Sequence, residues 1–181
     1  DVGDCDAWVT LYDSLGGADW PQSWRAPCPA HDLRTDPCGC NGYWQKFVRC
    51  NAKRDWMRIT EIYMLGPALV GEIPAALGDM DALIALSLVG TRLTGTIPEA
   101  VGALPNLEMV WMDHNPTLGG AIPASFVARS GQLQAFELHT SGFNGTLPAL
   151  DWASIADCTL NGLVFDCPLP KGAETCGCTC K

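Results

Sequence analysis

Four side chains that could do chemistry lie near one another in the sequence: Asp113, His114, Glu137 and His139. Carboxylates beside imidazoles can bind a divalent ion or share a proton as an acid–base pair. A solvated polar patch held by ion pairing needs the same residue types, and it is the favoured interpretation. We therefore expect no metal ion and no cofactor, and keep a hydrolase or metal-dependent enzyme at these four residues as an alternative.

Motifs of the common enzyme classes are missing from the sequence. No serine sits in a nucleophile-elbow context, and metalloprotease, P-loop and dinucleotide-binding motifs do not occur. We expect the protein not to be an enzyme.

The four residues belong to a repeating sequence unit. The pattern of this unit indicates which strands and turns position them. Successive units begin at Ile59, Leu83, Leu107, Leu133 and Ile155, so their spacing is nearly constant. Alternation such as Leu86 and Leu88 is typical of a short strand with one buried face, and the Gly-x-Ile-Pro that follows favours a turn. A single unit cannot bury its own apolar face, so we expect the units to stack around a continuous core. An extra residue within 115–118 predicts a bulge in the third unit.

The unit resembles the plant-type leucine-rich repeat, as in Leu83-x-x-Leu86-x-Leu88-x-x-Thr91-x-Leu93-x-Gly95-x-Ile97-Pro98. The start of the chain resembles the N-terminal cap of that family in Leu11-Tyr12, Leu15-Gly16-Gly17, Trp20, Trp24, Cys38-Gly39-Cys40, Trp44 and Cys50. This resemblance implies an α/β solenoid: a right-handed leucine-rich repeat superhelix with a short parallel sheet on its concave face, a helical N-terminal cap and a disulfide-rich C-terminal cap. It also implies a function as a receptor ectodomain or as an enzyme inhibitor, since plant co-receptor ectodomains and polygalacturonase inhibitors carry similar repeats.

We expect one continuous domain in three parts. A cysteine-rich cap covers 1–58, four repeats cover 59–154, and a degenerate fifth repeat with a second cysteine-rich cap covers 155–181. Helical spacing in the first cap predicts a helix, with Asp4 as its N-cap and Gly16 as its stop, that buries Trp8, Leu11, Tyr12 and Leu15. A small basic spot at the edge of this cap, expected to be solvated, consists of Arg49, Lys53, Arg54 and Arg58.

Ten cysteines in two groups of five favour disulfides over a metal site, because their spacings do not fit zinc ligation. Disulfides are expected at Cys5, Cys38, Cys40, Cys50, Cys158, Cys167, Cys176 and Cys180, with the connectivity left open. Cys28 and Cys178 are left over, as free thiols, as an intermolecular bond or as a bridge between the two ends. The oxidising compartment this implies is extracellular, with an organelle lumen as the alternative. Asn144 begins a glycosylation sequon, and the start at Asp1 suggests that a leader has been removed.

Partner contacts are expected on the outward positions of the concave sheet. Five strands about 4.8 Å apart offer a strip of only ~20–25 Å, which suits a peptide or a loop. The candidate contacts are the aromatic, thioether and charged residues that binding hot spots favour, with ordinary solvent-facing positions as the competing interpretation: Tyr63, Met109, Trp111, Asp113, His114, Glu137 and His139.

Charge points to the class of partner. The formal net charge is −9, and residues 59–181 account for −8 of it. An acidic surface of this kind argues against nucleic acid and anionic membranes. It would attract a basic protein or peptide, while the solubility that any secreted protein needs is the favoured explanation of the charge. No apolar run is long enough to cross a bilayer, so no membrane span is expected. The leading hypothesis is a non-catalytic binding module outside the cytosol, and the alternative is a structural or accessory subunit of a larger assembly.

Overall fold

The computed structural model describes residues 3–25, 32–39, 46–53 and 56–181. In these ranges the α-helices are α1 (Gly3–Ser14), α2 (Gln22–Arg25) and α3 (Glu99–Gly102). The strands are β1 (Val48–Lys53), β2 (Trp56–Leu65), β3 (Val70–Glu72), β4 (Ala85–Val89), β5 (Arg92–Thr94), β6 (Met109–Trp111), β7 (Gly119–Gly120), β8 (Ala135–Glu137), β9 (Gly142–Phe143), β10 (Asp157–Thr159), β11 (Val164–Phe165) and β12 (Thr179–Cys180). Short 3₁₀ helices lie at Gly17–Asp19, Ala75–Asp79, Ala124–Arg129, Trp152–Ser154 and Ala173–Cys176.

A six-stranded sheet in the order β1-β2-β4-β6-β8-β10 is the main element. From β2 onward all pairs are parallel, and Glu61, Ala85, Met109, Ala135 and Asp157 lie in register across the sheet. Each of these residues comes two positions after the first residue of its repeat, so the strand register equals the spacing of the repeats. The predicted parallel sheet is confirmed, because each repeat contributes one strand at the same place in its unit.

The edge of the sheet differs from the prediction. Strand β1 pairs antiparallel with β2, from Val48 opposite Ile62 to Lys53 opposite Trp56. The cap therefore contributes a strand to the sheet, and β2 begins before the first repeat residue, Ile59. This pairing covers an edge that would otherwise expose unpaired backbone groups.

The core lies between the main sheet and the segments on its far side. Strand residues facing inward are fully buried, including Ile62, Met64, Leu86 and Leu88. Across from them, one buried side chain from each successive helical segment packs into the same cluster: Leu77, Val101, Phe126 and Trp152. Two-stranded parallel ladders β3-β5 and β7-β9 also connect neighbouring repeats outside the main sheet. The buried residues form one continuous cluster, as stacking of repeats requires.

A buried polar group joins the second and third repeats. Asn115 is fully buried, and its Oδ1 accepts hydrogen bonds from the backbone N–H of Thr91 at 2.8 Å and from its hydroxyl at 2.5 Å. The Nδ2 of Asn115 donates to the carbonyls of Leu88 at 2.6 Å and Met112 at 2.9 Å. Every polar atom of this side chain is therefore paired, which is what permits its burial.

The N-terminal cap contains the predicted helix, and its first turn differs from the prediction. Gly16 ends α1 in the left-handed conformation, with φ of 71°. The expectation that Asp4 is the N-cap is wrong, because α1 begins at Gly3 and Asp4 lies inside its first turn. The buried Asp4 carboxylate instead accepts hydrogen bonds from the Arg58 guanidinium and the Ile59 backbone N–H. Arg58 is correspondingly mostly buried in an ion pair, where a solvated position was expected.

Six of the predicted cysteines form disulfides in the described residues: Cys38–Cys50, Cys158–Cys176 and Cys167–Cys180. The expectation of a disulfide at Cys5 is wrong, because its thiol is free and exposed near the start of α1. Cys178 is also free, and its buried thiol donates to the Ala173 carbonyl at 3.3 Å. Cys28 and Cys40 lie outside the described residues. Within the described ranges no helix combines the length and apolar character that a bilayer crossing requires.

Candidate functional site

The sheet positions the candidate residues through the alternation of its strands. Side chains two apart share a face, so residues next to the core residues Ile62, Leu86 and Val110 point to the opposite side. We call this side the open face and define it by Glu61, Tyr63, Ser87, Met109, Trp111 and Glu137, with Asp113, His114 and His139 just beyond the strand ends.

Tyr63 and Trp111 form an aromatic pair across an intervening strand. Their ring centroids lie 6.2 Å apart with planes tilted by 35°. The two strands are separated by β4, which would place their backbones about 9.6 Å apart. The rings meet because β4 carries the small residue Ser87 between them. The result is a continuous half-buried aromatic surface of the kind that anchors protein partners.

Arg49 and Glu61 complete one end of this surface. The Arg49 guanidinium carbon lies 5.4 Å from the centre of the Tyr63 ring, within the range of a cation–π contact. An Arg49 Nη1 donates to the Glu61 carboxylate at 2.8 Å. Arg49 comes from β1, so the cap strand supplies a cation that sits on an aromatic ring and pairs with an acid.

Trp111 and Glu137 form a similar aromatic–acid unit at the other end. The indole Nε1 of Trp111 donates to Glu137 Oε1 at 3.1 Å across directly opposed positions of β6 and β8. Burial raises the pKa of Glu137, and the charges of Asp157 and Asp113 raise it further. Within the described part of the chain, no lysine or arginine forms an ion pair with Glu137. This unit thus has the acid and the ring, and it lacks the cation that Arg49 provides at Tyr63.

Asp113, His114 and His139 gather where β6 and β8 end. Asp113 is buried, and its Oδ2 lies 2.7 Å from His114 Nδ1 and 3.8 Å from His139 Nε2. The imidazole centroids are 4.9 Å apart in an edge-on arrangement. Backbone hydrogen bonds hold the group in place, since the N–H of His114 donates to the His139 carbonyl and the N–H of Gly90 donates to the Asp113 carbonyl.

His114 and Thr140 have left-handed backbones, with φ of 56° and 55°. Both stand at the eighth position of their repeats, where the other three repeats have left-handed glycines: Gly66, Gly90 and Gly162. Side chains other than glycine cost free energy in this conformation, and the cost is largest for a β-branched residue such as threonine. The fold thus requires a left-handed residue at this position, and two repeats place a larger side chain there.

Comparison with known proteins agrees with the repeat pattern. No family model matches the sequence. Over 94 residues the chain is 33% identical to Receptor-like protein 6 of Arabidopsis thaliana. The match covers 52% of this chain and 9% of that protein. This similarity is to a plant receptor-like protein, and the chain spans less than a tenth of its length. The predicted resemblance to plant-type leucine-rich repeat proteins is confirmed.

Solved structures of plant receptor ectodomains have the same fold as this chain. The ectodomain of the receptor kinase SOBIR1 of Arabidopsis thaliana aligns with a TM-score of 0.73 at 17% identity, covering 99% of this chain and 92% of that one. A chain of the BIR3–SERK2 complex of Arabidopsis thaliana aligns at 0.68 and 22%, covering 97% and 93%. A chain of the complex of the Arabidopsis receptor kinase HAESA with the peptide hormone IDA and the co-receptor SERK1 aligns with a TM-score of 0.53 at 22% identity, covering 64% of this chain and 20% of that one.

The predicted contact residues of this chain share one face. Tyr63, Trp111 and Glu137 are linked by direct contacts, and the aspartate and two histidines form a second group beside them. Met109 is half-buried on β6, two residues from Trp111. The sequence did not predict the contacts of Arg49 with Tyr63 and Glu61, because the pairing of β1 with β2 leaves no repeat pattern. His114 was predicted, and the glycine at the eighth position of the other repeats was a signal that could also have singled out Thr140.

The predicted glycosylation residue lies away from the open face. Asn144 is exposed just after β9, and its Nδ2 donates to the Gly142 carbonyl at 3.0 Å. An exposed loop is where an oligosaccharide can be attached. Glycosylation at Asn144 stays a prediction.

Proposed function

We propose that this protein is a non-catalytic, extracytoplasmic binding module that takes a basic peptide or protein segment on its open face. In this proposal the stacked repeats form a right-handed solenoid, and the open face is its concave side. The similar plant structures support the proposal, since they include receptor-kinase complexes with a peptide hormone and with a co-receptor.

The unit of Trp111 and Glu137, which lacks a cation, is the observation that carries the proposal. At the other end of the same surface, Arg49 stacks on Tyr63 and pairs with Glu61. An arginine of a partner that stacked on Trp111 and paired with Glu137 would repeat this arrangement. It would also relieve the repulsion that Glu137 experiences from Asp113 and Asp157.

The dimensions of the open face suit a short extended segment. Tyr63 to Glu137 spans three strand-to-strand steps, or about 14 Å. Four residues of an extended chain cover about the same distance. We therefore propose a peptide or an exposed loop as the occupant, with one arginine or lysine near Trp111.

An oxidising compartment fits this function. Three disulfides join described cysteines, and two of them close the C-terminal cap. Such bonds persist in extracellular and lumenal environments. We propose an extracellular location, with an organelle lumen as the alternative.

Selection from a displayed library of random short peptides tests the proposal. Peptides enriched on the wild-type chain should be basic and contain arginine, and their affinity should fall as salt rises. Trp111→Ala should weaken the selected peptides by about 2 kcal/mol, roughly 30-fold. Val127→Ala, a change at an exposed residue in the 3₁₀ helix Ala124–Arg129, is the matched control and should have no effect.

Two results would count against this assignment. Selected peptides that bind Trp111→Ala as tightly as the wild type would remove the open face as the binding surface. Peptides without basic residues, or with affinities that salt does not change, would remove the role of Glu137 as the acceptor of a cation.

The alternative function, a subunit of a larger assembly, has less support than the binding module. It depended on Cys28 and Cys178 as unpaired thiols available for bonds between chains. Cys178 is buried and hydrogen-bonded inside the C-terminal cap, so it cannot reach another molecule without unfolding that cap. Cys5 is free and exposed, and a disulfide-linked species on a non-reducing gel that Cys5→Ser abolishes would favour the assembly.

A further inference from the structure

His139 lacks the hydrogen bonds that a half-buried imidazole ordinarily makes. Its Nδ1 is buried without a partner among the described residues. Its Nε2 points at Asp113 Oδ2 from 3.8 Å, which is too far for a hydrogen bond. A gap of this length between two ligating atoms is close to the separation of two ligands on one metal ion. Tetrahedral coordination with bonds of about 2.0–2.1 Å places ligand atoms about 3.3 Å apart.

His114 supplies a third ligand at the same place. One ligating atom from each of Asp113, His114 and His139 lies within 4.8 Å of the other two. The pair distances that involve Asp113, 2.7 and 3.8 Å, fall on either side of the metal-bound separation. Small shifts of three side chains at strand ends would therefore bring the atoms to one ion.

Charge in this group also favours a cation. Asp113 is buried, and Glu137 lies near enough to raise the local negative potential. No described lysine or arginine forms an ion pair with Asp113; its neighbours in ion-pair range are the two imidazoles. Imidazole nitrogens with one carboxylate are ligands for zinc and other borderline transition metals, whereas calcium and magnesium prefer all-oxygen sites.

The backbone at His114 provides a separate argument. The left-handed conformation there is one that glycine would adopt at no cost, as it does in three other repeats. Histidine at this position orients its ring toward Asp113 at the cost of backbone strain. A strained residue that brings a ligating atom to a buried carboxylate indicates that the side chain has a use.

We propose that Asp113, His114 and His139 form a binding site for one divalent transition-metal ion, with zinc as the expected metal. Three protein ligands leave at least one coordination position open. His114 is exposed, so that position faces the solvent. The site lies on the open face but does not use Trp111 or Glu137, the two residues proposed to hold the partner's cation.

Titration of the untagged, chelator-treated full chain with Co²⁺ tests the site, because bound cobalt absorbs visible light in a way that reports coordination by nitrogen and oxygen. We expect one equivalent of Co²⁺ to bind and to be displaced by Zn²⁺. His139→Gln should weaken cobalt binding at least about tenfold. That is the smallest loss of metal affinity expected when a residue that only hydrogen-bonds to a metal ligand is removed, and His139 is itself a proposed ligand. Trp111→Ala, which removes the proposed peptide contact, should leave cobalt binding unchanged.

His114→Gly separates a lost ligand from a lost fold. Glycine suits the left-handed backbone at this position, so the variant should melt no lower than the wild type and still bind cobalt at least about tenfold more weakly. Cys5→Ser and His31→Gln remove other candidate ligands and should bind cobalt as the wild type does. Absence of cobalt absorption, or equal binding by wild type and His114→Gly, would overturn the proposal. Either result leaves the peptide selection unaffected.

Discussion

Removal of the Asp4 carboxylate should destabilise the protein by breaking the polar link between its cap and its repeats. The Asp4 side chain accepts two hydrogen bonds from Arg58, both at 2.9 Å, and one from the Ile59 backbone N–H at 2.9 Å. Only 5% of the Asp4 side chain is exposed. Arg58 also pairs with Asp81 in the loop before the next strand of the sheet, so one guanidinium joins α1, β2 and that loop.

The magnitude follows from what Asp4→Ala leaves behind. Removal of one partner from a buried ion pair costs about 3–5 kcal/mol, because the other charge stays buried. Arg58 keeps Asp81 and is 16% exposed, which places the expected loss of unfolding free energy at the lower end, about 3 kcal/mol. In a chain of this size that loss corresponds to a fall in melting temperature of roughly 6–12 °C.

Asp13→Ala is the matched control, because Asp13 and Arg34 form the same two-point contact at 2.6 and 2.8 Å on the exposed side of the cap. Solvent screens that pair, so its loss should change stability little. Urea unfolding with the disulfides intact, followed by tryptophan fluorescence, measures both variants. Faster amide exchange at Ile59 in Asp4→Ala would support the mechanism locally. Equal unfolding free energies for the two variants would refute the reasoning.

Three further predictions test the repeats. Hydrogen bonds from Ser125 and the Ala124 amide lower the pKa of Glu99 in the folded protein. The stability they add is therefore lost as the pH falls through that lowered pKa. Glu99→Gln should make the melting temperature less dependent on pH in this acidic range. Gly71→Ala would place a Cβ 1.9 Å from the Ser14 carbonyl oxygen and should unfold in far less urea than Gly90→Ala, which meets no atom within 4 Å and should lose only about 1 kcal/mol to its left-handed backbone. Thr140→Gly should raise the unfolding free energy by up to about 1 kcal/mol, since it relieves a left-handed β-branched residue, and a lower value would contradict the strain assigned there.

The sheet could be predicted from the sequence because the spacing of the repeats determines the register of its strands. Each turn of the chain must return to the same place in the stack, so the spacing of the repeats equals the register of the strands, even where the repeat length changes. The extra residue of the third repeat changes the length of its turn, and β8 still pairs in line with β6. Inward and outward side chains then follow from simple alternation.

The cap could be predicted only in outline, because its contacts are not periodic. An acid at the start of a helix ordinarily indicates capping, and nothing near Asp4 in the sequence points to the distant Arg58. Strand β1 has no repeat to align with, so neither its pairing with β2 nor the position of Arg49 on Tyr63 could be derived. Cys5 looked like any other cysteine of its cluster, and only the fold leaves its thiol free.

The candidate site occupies places where the repeats depart from their own pattern. Ser87 is small between two aromatic residues, which lets Tyr63 and Trp111 meet. His114 stands where three repeats have glycine, which turns an imidazole toward Asp113. Regular positions build the scaffold, and a change at one of them alters the face without altering the stack.

The metal ion and the basic peptide proposed to bind this face should weaken each other's binding through charge. Asp113 is a ligand in the metal site, and its charge also acts on Glu137, the proposed acceptor of a partner's arginine. A divalent cation on Asp113 would reduce the negative potential at Glu137 and so weaken the binding of a basic peptide. Because such coupling is reciprocal, the peptide would weaken the metal by the same factor. Metal and basic peptide therefore compete without sharing a contact, and the open face would bind its peptide most tightly when the metal site is empty.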